Sequence, residues 1–160
     1  MLNQMKIDPK LDLVFERTTS LTPEQIWKGW TDPQTLMKWF CPRPWKVVDC
    51  KIDLHPGGQF YTLMQSPEGK SFPNYGIYLE VIENKKLVIT NALAEGFRPL
   101  NCPQDGFLNT MTLLFTKVEK GTQYKAVVSH SDIEGYKKHE MMGFQEGWGK
   151  AFDQLTKLYK

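Results

Sequence analysis

The sequence predicts an α+β domain in which a curved antiparallel sheet of about seven strands wraps around a long C-terminal helix, with two short helices after the first strand. Three observations predict it. Apolar residues recur with period two in runs from Lys46 to Ser131, the joints between most runs are two to four residues long, and one apolar stripe of helical period closes the chain. Each element has a single apolar face, and wrapping the sheet around the helix is the arrangement that buries all of them.

Residues 1–10 form a short polar lead ending in Asp8-Pro9. Leu11, Leu13 and Phe15 then alternate with Asp12 and Glu16, the pattern of a strand. Thr22-Pro23-Glu24-Gln25 reads as a capping box with proline at the first helical position, and Ile26, Trp27 and Trp30 supply the apolar face behind it. Asp32-Pro33 repeats the start signal. Leu36, Met37, Trp39 and Phe40 follow until Cys41-Pro42-Arg43-Pro44 forbids continuation, so the second helix has two turns at most.

The period-two runs are Lys46 to Leu54, Gln59 to Ser66, Ser71 to Glu83, Lys86 to Ala92, Phe107 to Glu119 and Thr122 to Ser131. Pro56-Gly57-Gly58, Pro67-Glu68-Gly69, Asn84-Lys85 and Lys120-Gly121 separate them, joints that only hairpins can use. The one long joint, Leu93 to Gly106, reads as a functional loop or a mobile flap, with apolar Phe97 and Leu100 at its tip.

From about Gly135 onward, Met141, Phe144, Trp148, Ala151, Phe152, Leu155, Leu158 and Tyr159 fall within a stripe of roughly 120°. A helix of about 25 residues, on the order of 37 Å, is expected. Gly143 and Gly147 sit on its flank, where each costs about 1 kcal/mol relative to alanine. Close packing against a strand, or room for a ligand beside Phe144 and Trp148, would offset that cost. A straight helix and a curved sheet do not touch everywhere, so a cavity between them is expected.

Composition narrows the function. The chain has 160 residues, 41% hydrophobic and 24% charged, with a mean hydropathy of −0.45 and a formal charge of +2. This suits one ordinary domain with a real core. No basic block exceeds Lys137-Lys138, which argues against nucleic acid as partner. No spanning segment or secretory leader is seen, so a cytoplasmic protein without a membrane role is expected. Cys41, Cys50 and Cys102 are odd in number and lack CxxC spacing, and read as reduced thiols.

Several stretches carry a family likeness: Trp27 to Trp39 with its Asp32-Pro33 start, Asp53-Leu54-His55-Pro56-Gly57-Gly58-Gln59-Phe60, Gly76-Ile77-Tyr78-Leu79-Glu80-Val81, and His139 to Leu155 with Gly143-Phe144-Gln145-Glu146-Gly147-Trp148. Together they resemble the SRPBCC (START-like, helix-grip) superfamily, and within it the activator of heat-shock-protein-90 ATPase homologue family of C-terminal-domain type, often filed with polyketide cyclases. The likeness spans nearly everything from Leu11 to Lys157. It implies the helix-grip fold and a hydrophobic ligand cavity, but no shared reaction, because one framework hosts many functions. The chaperone-binding member has an additional N-terminal domain, whereas ten residues precede the first strand here. The expectation is therefore a single domain over 11–160 rather than a full co-chaperone.

Candidate site residues follow from which side chains face the interior. His130 continues the set Tyr124, Ala126, Val128, so its ring points inward, either as a hydrogen-bond partner or general base for a carbonyl ligand, or simply satisfied by backbone at the helix start. Arg98, beside Phe97, is either a clamp for an anionic head group or a solvated loop arginine. Trp27, Trp39, Phe60, Tyr75, Phe97, Met111, Phe144, Trp148 and Phe152 are the candidate lining, since large rings that fail to interdigitate leave pockets. Asp49 and Asp53, about 13 Å apart along one strand, are too distant for a carboxylate pair and face solvent. No nucleophile elbow, HExxH, P-loop or dinucleotide fingerprint occurs, so no catalytic residue, metal or cofactor is assigned.

The leading expectation is a protein that binds a small hydrophobic or amphipathic molecule between sheet and C-terminal helix, with His130 or Tyr75 setting its orientation. A cyclase- or hydratase-type enzyme using an inward polar residue is the first alternative, and a module that stimulates a chaperone ATPase is the second. A homodimer is compatible with a domain of this size.

Overall fold

The computed structural model describes residues 5–160. Its main sheet has seven strands: β1 (Asp12–Thr19), β2 (Lys46–Ile52), β3 (Gln59–Gln65), β4 (Ser71–Ile82), β5 (Lys86–Thr90), β8 (Asn109–Val118) and β9 (Gly121–His130). They lie in the order β1-β9-β8-β5-β4-β3-β2, each antiparallel to its neighbours. The meander runs as the short joints require. β1 and β2 end up at opposite edges, and α1 (Pro23–Thr31) and α2 (Pro33–Leu36) carry the chain between them.

Both short helices start where their caps place them. The Thr22 hydroxyl accepts from Gln25 N–H while the Gln25 side-chain Oε1 accepts from Thr22 N–H, and the Asp32 carboxylate accepts from Thr35 N–H at the start of α2. Leu13, Phe15, Phe60, Tyr78, Ile89, Leu113, Tyr124, Ala126 and Val128 form the inner face of the sheet, packed against α1, α2 and the C-terminal segment.

The structure departs from the sequence reading in the C-terminal helix and in β2, and adds detail to the long joint. The C-terminal segment is two helices, α3 (Ile133–Met141) and α4 (Phe144–Lys157), rather than one. Gly143 separates them with φ at +82°, a left-handed conformation that ends one helix and opens the next, so it is no interior glycine. α3 starts earlier than the stripe suggested because Asp132 caps it, accepting from Gly135 N–H at 2.7 Å. Met141, assigned to the buried stripe, is 86% exposed beside the break. The core-spanning rod is thus α4 alone, about 21 Å long.

β2 also departs from simple alternation. A bulge between Val47 and Asp49 shifts its phase, so Val47 and Cys50 are buried while Val48 is exposed. Finally, the long joint contains its own two-stranded ribbon, β6 (Leu93–Ala94) and β7 (Arg98–Pro99), joined by one 3-10 turn. Gly96 N–H donates to the Gly57 carbonyl at 3.2 Å, which ties that ribbon to the turn between β2 and β3.

α1 and α4 approach closely at Gly29. A Cβ there would stand 2.7 Å from Leu155 Cδ1 and 3.4 Å from Trp39 Nε1, so a larger residue would require the Leu155 side chain to shift. The notch expected of Gly143 or Gly147 belongs to Gly29. Around Gly143 a Cβ would meet nothing within 4 Å, and at Gly147 only Pro42 at 4.0 Å.

Candidate functional site

The interior bounded by the sheet, α2 and α4 is filled largely by aromatic rings. Trp30 lies at its centre, with ring centroids 5.2 Å from Trp39, 5.5 Å from Phe40 and 6.4 Å from both Phe60 and Trp148. Phe15, Tyr124 and Phe152 extend the cluster, Tyr124 and Phe152 at 4.7 Å. Two indoles are fixed by hydrogen bonds: Trp30 Nε1–H donates to the Tyr124 hydroxyl at 3.2 Å, and Trp39 Nε1–H donates to the Gly29 carbonyl at 2.9 Å. Gln154 of α4 staples the adjoining loop, donating to the Trp39 and Cys41 carbonyls and accepting from Arg43 N–H.

The candidate lining residues divide into groups. Trp27, Trp39, Phe60, Phe144 and Phe152 are buried in this core, and Met111 and Trp148 pack against it half-buried. His130 is buried at the end of the core, in a cluster with Phe107, Tyr136 and His139 that joins the core through Phe144. Its Nδ1 lies 2.9 Å from the Leu11 carbonyl and its Nε2 2.9 Å from His139 Nδ1, so both nitrogens are engaged. Tyr75, Phe97 and Arg98 are exposed and separate from the core. Tyr75 stacks at 5.0 Å on Tyr61, on the face of β4 opposite Gly76 and Tyr78. Phe97 packs on Gly57, where a Cβ would be 2.7 Å from its ring.

Sequence reasoning missed the polar part of this interior. Thr62 and Tyr78 are fully buried, yet Thr62 Oγ1 and Tyr78 Oη have no hydrogen-bond partner. Thr62 pairs in register with Cys50, a member of the core, and Tyr78 packs at 5.7 Å on Phe60. These groups therefore share the inner face of β2, β3 and β4. Burial, with the Cys50 thiol nearby, pushes the Tyr78 phenol well above its usual range. Burial and then the Asp49 and Asp32 carboxylates push the Cys50 thiol up to about 11. All three groups stay neutral at ordinary pH. Their signal was in the sequence: Thr62 sits between Phe60 and Met64 on one phase of β3.

Surface grooves occur among the described residues. One of about 550 Å³ runs between the start of β1 and the α3–α4 break, lined by Ile7, Leu13, Tyr136, Glu140 and Phe144 among others. Another, about 390 Å³, lies near Pro23, Lys85 and Phe115. The first opens between the edge strand β1 and the start of α4, outside the aromatic cluster around Trp30; the second lies away from α4. Among the described residues no His, Cys, Asp or Glu cluster is placed to hold a metal ion, and no helix is long and apolar enough to cross a membrane.

Among solved structures, the chain is similar to a protein of Nitrosomonas europaea, 43% identical over 95% of this chain and 96% of that one, with a TM-score of 0.90. A Mycobacterium smegmatis protein is 27% identical over 94% and 91% of the two chains, with a TM-score of 0.75. An AHSA1-like protein from Aeromonas hydrophila, 18% identical over 92% and 90% with a TM-score of 0.69, shares the fold. No curated protein matches the chain. The family model described as Activator of Hsp90 ATPase homolog 1-like protein matches residues 20–160, the span that carries both short helices, six of the seven main strands and the C-terminal helices. On that match, with the helix-grip architecture already in view, the chain belongs to the activator of Hsp90 ATPase homolog 1-like family.

Proposed function

We propose that this protein binds a small apolar or amphipathic molecule in the interior bounded by the sheet, α2 and α4. The observation that carries the reading is that apolar side chains packed on the core stay partly accessible: Phe40, Met64, Met111 and Trp148 all remain half-buried. A guest sliding among them would remove apolar surface from water at about 25 cal/mol per Å². The rings are already in contact, so a guest must displace Trp148 or Phe40. Methionines, with their flexible thioethers, accommodate such shifts.

Binding fits this interior better than catalysis. Among the described residues the buried side chains include no Asp, Glu, Lys or Arg, and the one buried histidine, His130, has both nitrogens engaged. Nothing there is poised to move a proton.

The test is titration with a neutral fluorescent probe, N-phenyl-1-naphthylamine, against the intact protein and Trp148→Ala. Saturable binding that weakens at least about tenfold in a variant with an unchanged circular dichroism spectrum is expected. Equal affinity in the folded variant, or no binding to either protein, would overturn the proposal.

A further inference from the structure

Two hydroxyls buried without a partner in an aromatic interior are costly, because each has lost its water and gained no hydrogen bond. They lie on one face of the sheet, each beside Cys50. Thr62 stands opposite Cys50 in the ladder between β2 and β3, and Tyr78 projects from β4 on the same face with its ring against Phe60. Met64 and Ile52, their neighbours on that face, are half-buried, as is Phe40 across from Phe60 at 6.0 Å. The hydroxyls therefore sit just inside the accessible apolar surface on which the binding proposal rests.

The surroundings decide what such a pair would take. A phenol and an alcohol held neutral can both donate, and a carbonyl oxygen, with two lone pairs and no proton, is the simplest group that accepts from both. A carboxylate is disfavoured there. Among the described residues no buried Lys or Arg can balance it, and Asp32 and Asp49 lie close enough to raise the Cys50 thiol further.

Resting on the binding reading above, we infer that Thr62 and Tyr78 form the polar anchor of the interior site, and that its ligand is an uncharged aromatic or alicyclic molecule bearing a carbonyl oxygen. The apolar body lies against Phe40, Phe60 and Met64, and the oxygen accepts from Thr62 Oγ1–H and Tyr78 Oη–H.

Three single-ring probes of nearly equal size separate the terms: acetophenone, ethylbenzene and benzoate, each titrated by amide chemical shifts into the full chain. Acetophenone is expected to bind about tenfold more tightly than ethylbenzene, with benzoate weakest. In the Thr62→Val/Tyr78→Phe double variant the ketone preference should shrink to within about twofold while ethylbenzene holds its affinity. Thermal unfolding of the variant checks that the fold survives, and each single variant serves if the double one does not fold. Equal binding of ketone and hydrocarbon by the intact protein, a preference that persists without the hydroxyls, or tighter binding of benzoate would overturn the anchor while leaving the apolar site standing. If none of the three binds, the interior site itself is refuted.

Discussion

His130 Nε2 and His139 Nδ1 lie 2.9 Å apart inside a cage of Phe107, Tyr136 and Phe144. His130 Nδ1–H donates to the Leu11 carbonyl, which leaves its Nε2 as an acceptor and requires His139 Nδ1 to carry the proton between them. The pair therefore clips α3 to β9 and, through His130, to the start of β1.

Burial, and then the neighbouring His130, lowers the His139 pKa to about 4, against 6.5 for an exposed histidine. As pH falls below about 6.5 the unfolded chain takes up this proton while the folded chain resists until about 4. Stability from this group is complete above that window and is lost through it, by on the order of 2 kcal/mol. Urea unfolding at pH 7.5, 6, 5 and 4.5 should show the decline, and His139→Phe should flatten it. An identical pH slope in the variant would refute the assignment.

Gly143 offers a test by sign. Its φ of +82° and open surroundings mean that Gly143→Ala incurs backbone strain alone, a loss of about 1 kcal/mol, with Gly143→Asn costing less. A continuous helix through this position would instead gain about 1 kcal/mol from alanine. The midpoints of denaturant unfolding distinguish the two.

Two tyrosines of similar burial should behave oppositely. Tyr124→Phe removes the acceptor of the Trp30 indole and is expected to cost about 1–3 kcal/mol. Tyr78→Phe removes a hydroxyl that had no partner and should leave the ligand-free protein unchanged or up to about 1 kcal/mol more stable. Thermal melts of both variants, side by side, check the contrast, and equal losses would show that Tyr78 Oη has a partner after all.

The thiols should separate cleanly. Cys102 is exposed, whereas burial pushes Cys41 up to about 12 and burial with Asp49 and Asp32 pushes Cys50 up to about 11. At pH 8 a disulfide reagent is expected to label one cysteine in the folded protein and three only on unfolding. Rapid labelling of Cys50 would mean that the interior opens readily near Thr62.

Removing the Gln154 amide tests the staple between α4 and the loop after α2. Gln154→Ala leaves the Trp39 and Cys41 carbonyls and Arg43 N–H without their partner, a loss of about 1–3 kcal/mol by urea unfolding. A shift below about 0.5 kcal/mol would show that water replaces it without cost.

Sequence alone was enough to locate the main-sheet strands between Lys46 and His130, the Thr22–Gln25 capping box and the start of α2, because alternation and capping are written in residues a few positions apart. It also marked Trp39, Phe60, Phe144 and Phe152 as interior. The bulge at Val48 and the break at Gly143 escaped it, since valine fits a regular strand and glycine is tolerated inside a helix. Only the tertiary structure decided that Tyr75 and Phe97 lie outside the core, that His130 meets His139, and that Thr62 and Tyr78 share an inner face without partners. The reason is physical. Hydrogen-bond satisfaction and burial depend on which distant segments converge on a side chain, and that is a property of the packed sheet and helices, not of any local run.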